Sequence, residues 1–368
     1  MSPLNTGISN CRNVASYSFG PGTLSSLHGH VEPLRKDANS YVVCYIDCYF
    51  QSSSSLLDGL TLNHGDLCRF VDSSHEPTTS LVDEYVQSIR SAKNEIPPVA
   101  IIGIGGGVTM DIAKAVSNLL TNPGRASDYQ GWDLVKFPGI YKIGIPTISG
   151  TGCEATRTCV MTNMDTGLKL GMNSDFTVFD RIILDPDLSV TVPTDQYFYT
   201  GMDAYIHCIE SMNGSYRNAI GDAFSQQALA LCRGIFMSDD MQSDDNRASL
   251  MAASYLGGCA IASSYVGVIH PFSAGLSVVL GTHHCIANCI VMMAMKGFYP
   301  QAYQEFIEML EKQEIRLPSG IASNLSDAQY EALYNSTIIH EKPLTNALGD
   351  DFSKILTKDR VIRMFQDM

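Results

Sequence analysis

The 368-residue sequence is poor in basic residues and has no Cys-x-x-Cys pair. Its 24 Lys and Arg residues are outnumbered by 38 Asp and Glu residues, which gives a formal net charge of −14. Nucleic acids and anionic membranes bind proteins largely through basic side chains, so the composition disfavours both partners. Without a paired-thiol motif we expect no thiolate zinc site, and we interpret the 11 cysteines as reduced, buried hydrophobic residues.

Long apolar runs are also missing. No stretch approaches the roughly 18 continuous apolar residues of a spanning helix. The N-terminal segment MSPLNTGISNCRNV has no apolar run of the length that a signal peptide needs. We therefore predict a cytoplasmic protein. Because 45% of the residues are hydrophobic and the chain is longer than one simple core requires, we expect a globular protein of two domains.

The sequence changes character near residue 190. Before this point, short β-branched runs alternate with helical patterns, which is typical of a parallel sheet with helices on both faces. After it, Ala-, Met- and Leu-rich stretches such as DAFSQQALALCRGIF indicate helices. We predict an α/β domain over residues 1–190 and an all-helical domain over residues 191–368. The predicted strands lie at 41–47, 67–71, 99–105, 141–146 and 181–185.

Two glycine-rich turns follow predicted strands. Gly105, Gly106 and Gly107 join VAIIGIG to a helical pattern, and TISGTGCEAT follows the strand YKIGIP. Backbone N–H groups in such turns can approach a pyrophosphate closely, and a following helix N-terminus favours its charge. For the first motif alone a ligand-free tight turn is an equal alternative, but two such loops favour a dinucleotide. Neither loop is a P-loop, which disfavours kinase-like chemistry.

Polar residues in the helical half form a candidate metal site. Asp203 and His207 are four residues apart and would share a helix face, although such a pair is more often a hydrogen bond than a metal site. His270, His283 and His284 lie in an apolar, Gly-rich stretch, where imidazoles without partners would be unfavourable. A carboxylate with imidazoles suits Fe²⁺ or Zn²⁺, and an exchangeable position would make the site catalytic.

These motifs resemble, in order and over nearly the whole chain, those of the iron-containing alcohol dehydrogenases, a group within the dehydroquinate synthase-like fold. The matching segments are FGPG, the strand ending in Asp47, EPTTSLVDE, GGGVTMDIAK, PTISGTGCEAT, TGLK, LDPDL, GMDAYIHCIE and the late histidine segment. The resemblance implies an α/β dinucleotide-binding domain and a helical metal-binding domain. It also implies an oxidoreductase that uses NAD(P) and a divalent metal, with Fe²⁺ preferred and Zn²⁺ as the alternative.

The resemblance further implies individual site residues. The implied metal ligands are Asp203, His207, His270 and His284, with His283 as a non-ligand neighbour. The implied cofactor contacts are Asp47 at the adenosine ribose, Gly105, Gly106, Gly107, Val108 and Thr109 at the pyrophosphate, and Thr147, Thr151 and Lys169 along the rest of the dinucleotide. An Asp at position 47 favours NAD over NADP because it repels a 2′-phosphate.

Three positions depart from the family pattern. Val108 replaces a Ser in the phosphate turn, Ala274 replaces a second His after the third ligand, and Cys285 replaces a Gly after the last ligand. Either this chain lacks the function of the missing His, or another residue performs it, and His283 is the candidate for that replacement. We expect substrate range to be the property most affected.

Within the family, GTGCEATRTCVMTN, TGLKLGMNSD and FYTGMDAYIHCIE most resemble enzymes that oxidise the C8 hydroxyl of 3-deoxy-D-manno-octulosonate ahead of amination in lipopolysaccharide sugar synthesis. Arg157 is a candidate partner for the sugar-acid carboxylate, and a structural ion pair is an equal alternative. We predict a homodimer that interconverts a primary hydroxyl and an aldehyde on a small sugar-like substrate. A dehydroquinate synthase-like lyase or cyclase, and a non-catalytic metal- or nucleotide-binding protein, are the alternatives.

Overall fold

The computed structural model describes Ile8 and residues 11–368. The described chain forms two compact units. The α/β unit contains Arg12–Ile148 and Cys153–Thr191, and it holds every strand of the described residues. The helical unit contains Val192–Met368 together with the short segment Ser149–Gly152 and, before Arg12, the described residues Ile8 and Cys11. The sequence did not predict that this segment, part of the second glycine-rich loop, belongs to the helical unit.

Six parallel strands form the main sheet of the α/β unit, in the order β1-β9-β6-β4-β2-β3. The central strands β2, β4 and β6 are buried along their whole length, as expected for strands covered on both faces. The five predicted strands are confirmed, whereas edge strand β1, the short strand β5 and the antiparallel pairing of β7 with β8 were not predicted. The strands are β1 (Ser16–Phe19), β2 (Val42–Asp47), β3 (Leu67–Val71), β4 (Ala100–Gly105), β5 (Gly131–Trp132), β6 (Lys142–Pro146), β7 (Thr158–Asn163), β8 (Leu168–Asn173) and β9 (Arg181–Leu184).

Four helices accompany these strands. Helix α3 begins where the Thr78 hydroxyl accepts a hydrogen bond from the Leu81 N–H, and α4 follows β4 directly through the first glycine turn. Most of α4 is buried, including Lys114, whose Nζ donates to the carbonyl oxygens of Thr156 and Thr158. The helices are α1 (Leu27–Val31), α2 (Ser54–Gly59), α3 (Thr79–Ala92) and α4 (Gly107–Leu119).

Helix α5 of the helical unit packs against α6, α7 and α9. This helix is buried from Tyr197 to Ser211, so the polar side chains in that stretch must find partners inside the protein. The apolar core of the unit is rich in Phe, Tyr and Met side chains. Its helices are α5 (Thr194–Asn213), α6 (Ala219–Phe236), α7 (Asp244–Ser264), α8 (Ile269–Leu280), α9 (His284–Met293), α10 (Pro300–Lys312), α11 (Asp327–Ile338), α12 (Glu341–Leu348), α13 (Phe352–Ile355) and α14 (Lys358–Gln366).

Within the described chain, no single helix is both long and apolar enough to cross a membrane. Helices α7 and α8 reach the length and apolar composition of a membrane span only when they are taken together, and they are bent by 105° at their junction.

The cysteines are free thiols, and most are buried, as predicted. Cys48 is an exception because it begins the turn after β2 and is exposed, so its assignment as a buried residue was wrong.

Buried Lys142 makes stability depend on pH. Its side chain is only 2% exposed, and Nζ lies 3.8 Å from Asp180 Oδ2. Burial lowers the pKa of Lys142 from 10.5 to about 8. Between these two values the unfolded chain binds a proton that the folded chain has lost, so the free energy of unfolding rises with pH across this window.

We expect Lys142→Met to raise the free energy of unfolding at pH 7 by roughly 1–3 kcal/mol, because it removes a buried charge. Urea unfolding at pH 7 and pH 10 measures this change, and the gain should shrink at pH 10, where folded wild-type Lys142 is neutral. Lys36→Met, at an exposed site, is the control. A destabilised Lys142→Met protein at pH 7 would contradict this interpretation.

Candidate metal centre and cofactor turns

Asp203, His270 and His284 form a cluster in which one potential ligand atom from each residue lies within 4.8 Å of the others. Asp203 lies in the buried middle of α5, His270 in the first turn of α8, and His284 at the start of α9. The Asp203 carboxylate is central: Oδ1 is 3.3 Å from His270 Nε2, and Oδ2 is 3.8 Å from His284 Nε2. Three of the four predicted ligands therefore converge from three helices.

His207 lies beside this cluster, one turn after Asp203 on α5. Its Nε2 is 3.4 Å from Asp203 Oδ1, and its ring stacks on His270 with centroids 4.7 Å apart. The group of mutually close ligand atoms does not include it. A ligand role for His207 therefore stays a prediction.

The charges in the cluster are set by burial and by one another. Burial opposes ionisation of Asp203, but the imidazoles of His207, His284 and His270 outweigh it and hold the pKa of Asp203 well below its usual range. Burial lowers the pKa of His207 to about 4, so this imidazole is neutral at pH 7. Asp203 Oδ2 and His270 Nε2 are buried without a hydrogen-bond partner among the described residues. Because buried polar atoms are nearly always satisfied, these atoms fit a bound cation.

Two buried residues that the sequence analysis missed contact the cluster. Glu210 Oε2 lies 2.5 Å from His270 Nδ1, and Asn288 Nδ2 donates to Asp203 Oδ1 at 2.7 Å. Glu210 is seven residues after Asp203, and Asn288 is four residues after His284, so each shares a helix face with a ligand candidate. That spacing of polar residues along apolar helices was the available signal.

The predicted cofactor residues at the main sheet lie at the carboxyl ends of adjacent strands. Asp47 ends β2, Gly105 ends β4 and Thr147 follows β6. The Thr147 N–H donates to the Gly105 carbonyl oxygen at 3.1 Å, which joins the two glycine-rich loops. A Cβ at Gly105 would lie 3.1 Å from Asp47 Cβ and 2.7 Å from Thr109 Oγ1. This turn therefore requires a residue without a side chain.

Helix α4 opens directly on this turn, at Gly107. Gly106, Gly107 and Val108 are partly accessible, and no side chain of the described residues caps the helix. Thr109 Oγ1 is buried and has no hydrogen-bond partner in the described part of the chain. Open N–H groups at a helix N-terminus suit a phosphate group.

Two other predicted cofactor residues lie elsewhere. Lys169, on β8, is buried and pairs with Glu76 at 2.7 Å between Nζ and Oε1. Thr151 belongs to the segment Ser149–Gly152 of the helical unit. Their contacts with a cofactor stay predictions.

Arg157 is held by two carboxylates of the α/β unit. Its guanidinium lies 2.5 Å from Asp133 Oδ1 and 3.1 Å from Asp175 Oδ1, and its side chain is 10% exposed. This geometry favours the structural ion pair over recognition of a substrate carboxylate.

The departures from the family pattern near the ligands lie on α8 and α9. Ala274 is one turn after His270, and Cys285 is buried directly after His284. His283, the candidate replacement for the missing His, is an exposed residue preceding α9. A catalytic role for His283 stays a prediction.

Comparison with known proteins decides the family. Residues 15–186 match the iron-containing alcohol dehydrogenase family, and residues 197–333 match the C-terminal family of Fe-containing alcohol dehydrogenases. The chain belongs to the iron-containing alcohol dehydrogenase family. The predicted family and the predicted fold class, an α/β domain followed by a helical domain, are confirmed.

Individual relatives of this iron-containing alcohol dehydrogenase family member are named dehydrogenases and reductases. A sulfoacetaldehyde reductase from Bilophila wadsworthia is 36% identical over 232 residues, 62% of this chain and 59% of that protein. An NAD-dependent methanol dehydrogenase from Bacillus methanolicus is 29% identical over 238 residues, 63% and 61% of the two chains. The chain thus aligns with about three fifths of the length of these relatives.

A solved structure shows the same fold. The crystal structure of sulfoacetaldehyde reductase from Bifidobacterium kashiwanohense in complex with NAD⁺ has a TM-score of 0.79 and 20% identity, and the match covers 97% of this chain and 98% of that chain.

Proposed function

We propose that the protein interconverts a primary alcohol and an aldehyde with NAD, using a divalent metal held by Asp203, His207, His270 and His284. One observation carries this proposal: a buried, ionised carboxylate is surrounded by imidazoles from three helices, and it presents donor atoms without partners among the described residues. One carboxylate and three imidazoles suit Fe²⁺, with Zn²⁺ as the alternative.

When bound, the cation supplies Lewis-acid polarisation of the substrate oxygen. The protein prepares its site by keeping Asp203 ionised and His207 neutral. Burial lowers the pKa of His270, but the Glu210 and Asp203 carboxylates outweigh it and raise this pKa to about 9, so His270 would release a proton when the cation binds. Burial of Asp203 and His207 limits competition from water. No nucleophilic side chain is required, because the reaction removes a hydride from carbon and a proton from oxygen.

The α/β unit supplies the proposed dinucleotide site. Asp47 would accept a hydrogen bond from the adenosine ribose, and the N–H groups from Gly105 to Thr109 would bind the pyrophosphate. Val108 has no hydroxyl to donate to the pyrophosphate, so the backbone N–H groups would make this contact alone. Thr147 and Lys169 complete the part of the proposed site that this unit supplies, with Lys169 shared with Glu76.

Asp47→Ala is expected to change nucleotide preference. The carboxylate at the end of β2 would repel a 2′-phosphate, so its removal should raise the ratio of NADP to NAD efficiency by at least about tenfold, or about 1.4 kcal/mol. Steady-state kinetics with both nucleotides measures this ratio. Asp72→Ala, at an exposed carboxylate after β3, is the matched control. An unchanged ratio in the Asp47 variant would show that Asp47 does not contact the ribose.

The substrate we propose is a small, polar, sugar-like molecule with a terminal hydroxyl or aldehyde. The finer candidate is 3-deoxy-D-manno-octulosonate, oxidised at C8, which the residues around the second glycine loop and α5 support. Sulfoacetaldehyde is a second candidate, because a relative that is 36% identical is named for its reduction. Since Arg157 is already paired with Asp133 and Asp175, we assign no residue to the substrate anion.

The test combines anaerobic metal analysis with absorbance at 340 nm. The purified protein is loaded with Fe²⁺ or Zn²⁺ and supplied with NAD and alcohols, including 3-deoxy-D-manno-octulosonate, or with NADH and sulfoacetaldehyde. About one metal per chain and an absorbance change with one substrate would support the proposal. A protein that binds no metal would overturn it. Substrate conversion without net nicotinamide change would indicate the lyase or cyclase.

A further inference from the structure

Glu210 is a carboxylate in the core of the helical unit. Its side chain is 0% exposed, and it lies on α5 seven residues after Asp203. A buried carboxylate is unfavourable unless its oxygens receive hydrogen bonds. Glu210 Oε1 accepts the backbone N–H of Ile269 at 2.5 Å, and Oε2 lies 2.5 Å from His270 Nδ1. Each carboxylate oxygen therefore has a partner at the start of α8.

These two contacts decide where His270 carries its proton. The Ile269 N–H can only donate, and an ionised carboxylate can only accept, so the contact with Nδ1 requires that Nδ1 donate as well. With Nδ1 as the donor, the opposite nitrogen, Nε2, can offer its lone pair to a cation once it has released its own proton. Nε2 lies 3.3 Å from Asp203 Oδ1 and has no hydrogen-bond partner among the described residues.

The backbone before His270 is fitted closely to Glu210. A Cβ on Gly267 would lie 3.1 Å from Glu210 Oε1 and 2.6 Å from the Tyr299 hydroxyl oxygen. The Val268 N–H donates to the same Tyr299 hydroxyl at 3.3 Å. The segment that leads into α8 therefore has little freedom to shift, and the His270 ring is held from its backbone and from Nδ1.

We propose that Glu210 is a positioning residue of the metal centre, which keeps the proton of His270 on Nδ1 and directs Nε2 to the cation. The inference rests on the proposed function, because it requires the metal site. It extends that function to a residue that does not itself bind metal. Hydrogen-bonded carboxylates behind ligating imidazoles fix the tautomer and ring orientation, and their loss weakens metal binding by about 10- to 100-fold.

Glu210→Gln gives a sharp test because it changes charge and acceptor number with almost no change in shape. A Gln side chain has one oxygen, and if this oxygen accepts the Ile269 N–H, the NH₂ group faces His270 Nδ1. The imidazole must then accept at Nδ1 and carry its proton on Nε2, where the metal would bind. We expect about 10- to 100-fold weaker Co²⁺ binding by chelator competition, with a changed Co²⁺ visible spectrum.

Two further variants separate this role from a general loss of packing. Glu305→Gln makes the same change at a partly exposed carboxylate of the helical unit that pairs with Arg233, and it should retain wild-type Co²⁺ affinity. Glu210→Asp keeps the carboxylate but shortens the side chain by one methylene, so its Co²⁺ affinity should lie between those of wild type and the Gln variant. Circular dichroism of the metal-free proteins establishes that each variant is folded.

The outcomes distinguish the two proposals. If wild-type protein does not bind Co²⁺, the metal site fails and the role of Glu210 fails with it. If wild type binds Co²⁺ and Glu210→Gln binds with the same affinity and spectrum, the metal site stands and the role of Glu210 is overturned. Should Glu210→Gln not fold, Glu210→Asp decides, because the shorter side chain cannot keep both contacts, and a folded Asp variant with wild-type Co²⁺ affinity and spectrum would overturn the role of Glu210.

Discussion

His270→Ala is expected to remove the bound metal and to lower turnover by on the order of a thousandfold or more. The change deletes Nε2, which lies 3.3 Å from Asp203 Oδ1. It also leaves Glu210, 0% exposed, without its imidazole partner, and an unsatisfied buried acceptor destabilises a fold by about 1–3 kcal/mol or more. The α/β unit contains neither residue, so its folding should be preserved.

Metal content per chain and NADH formation at 340 nm measure the two losses. Circular dichroism and binding of NAD to the metal-free protein report on the α/β unit. His64→Ala, at an exposed histidine of the α/β unit, is the matched control and should retain metal and activity. Wild-type turnover in His270→Ala would show that His270 is not a metal ligand.

Gly150→Ala is expected to destabilise the helical unit by about 4 kcal/mol or more, or to prevent its folding. Gly150 is buried at φ +147°, and a Cβ there would lie 1.6 Å from the Thr200 carbonyl oxygen on α5. That contact is with backbone, so no side-chain rotation can relieve it. Thr200 precedes Asp203 by three residues, so a displaced α5 should also weaken metal binding.

Urea unfolding and the yield of folded protein measure this effect. The control is Gly281→Ala in the same unit, where φ is +69° and nothing lies within 4 Å of the added Cβ. It carries only the strain of the left-handed conformation, about 1–2 kcal/mol. If both variants lose the same stability, the close approach of Gly150 to α5 is not the cause.

The second glycine-rich loop shows where sequence patterns stopped being sufficient. The sequence pattern of TISGTG predicts a cofactor turn over its whole length, and Thr147 does lie beside Gly105 at the strand ends. Gly150 and Gly152, however, pack on backbone of the helical unit, at Thr200 and Gly258. A glycine that lets a phosphate approach the backbone cannot be distinguished by sequence from a glycine that lets a helix pack against the backbone. Both positions require only the absence of a Cβ.

Arg157 and Lys169 illustrate the same limit for charged residues. The sequence shows which cations are available, but not which carboxylates lie next to them. Asp133 and Asp175 reach Arg157 from separate segments, and Glu76 reaches Lys169 from 93 residues away. Ion pairs of this kind depend on the packing of distant segments, which no local periodicity reports.

The sequence by itself determined the alternation of buried strands and helices, the change to a helical unit near residue 190, and the types of residue able to hold a metal and a dinucleotide. Local patterns suffice for these because burial imposes a period on each strand and helix. Only the tertiary structure decided that Asp203, His270 and His284 converge while His207 lies beside them, and that Glu210 and Asn288 hold two of these side chains. The physical reason is that a ligand cluster is defined within a few ångströms, and that distance depends on how α5, α8 and α9 pack.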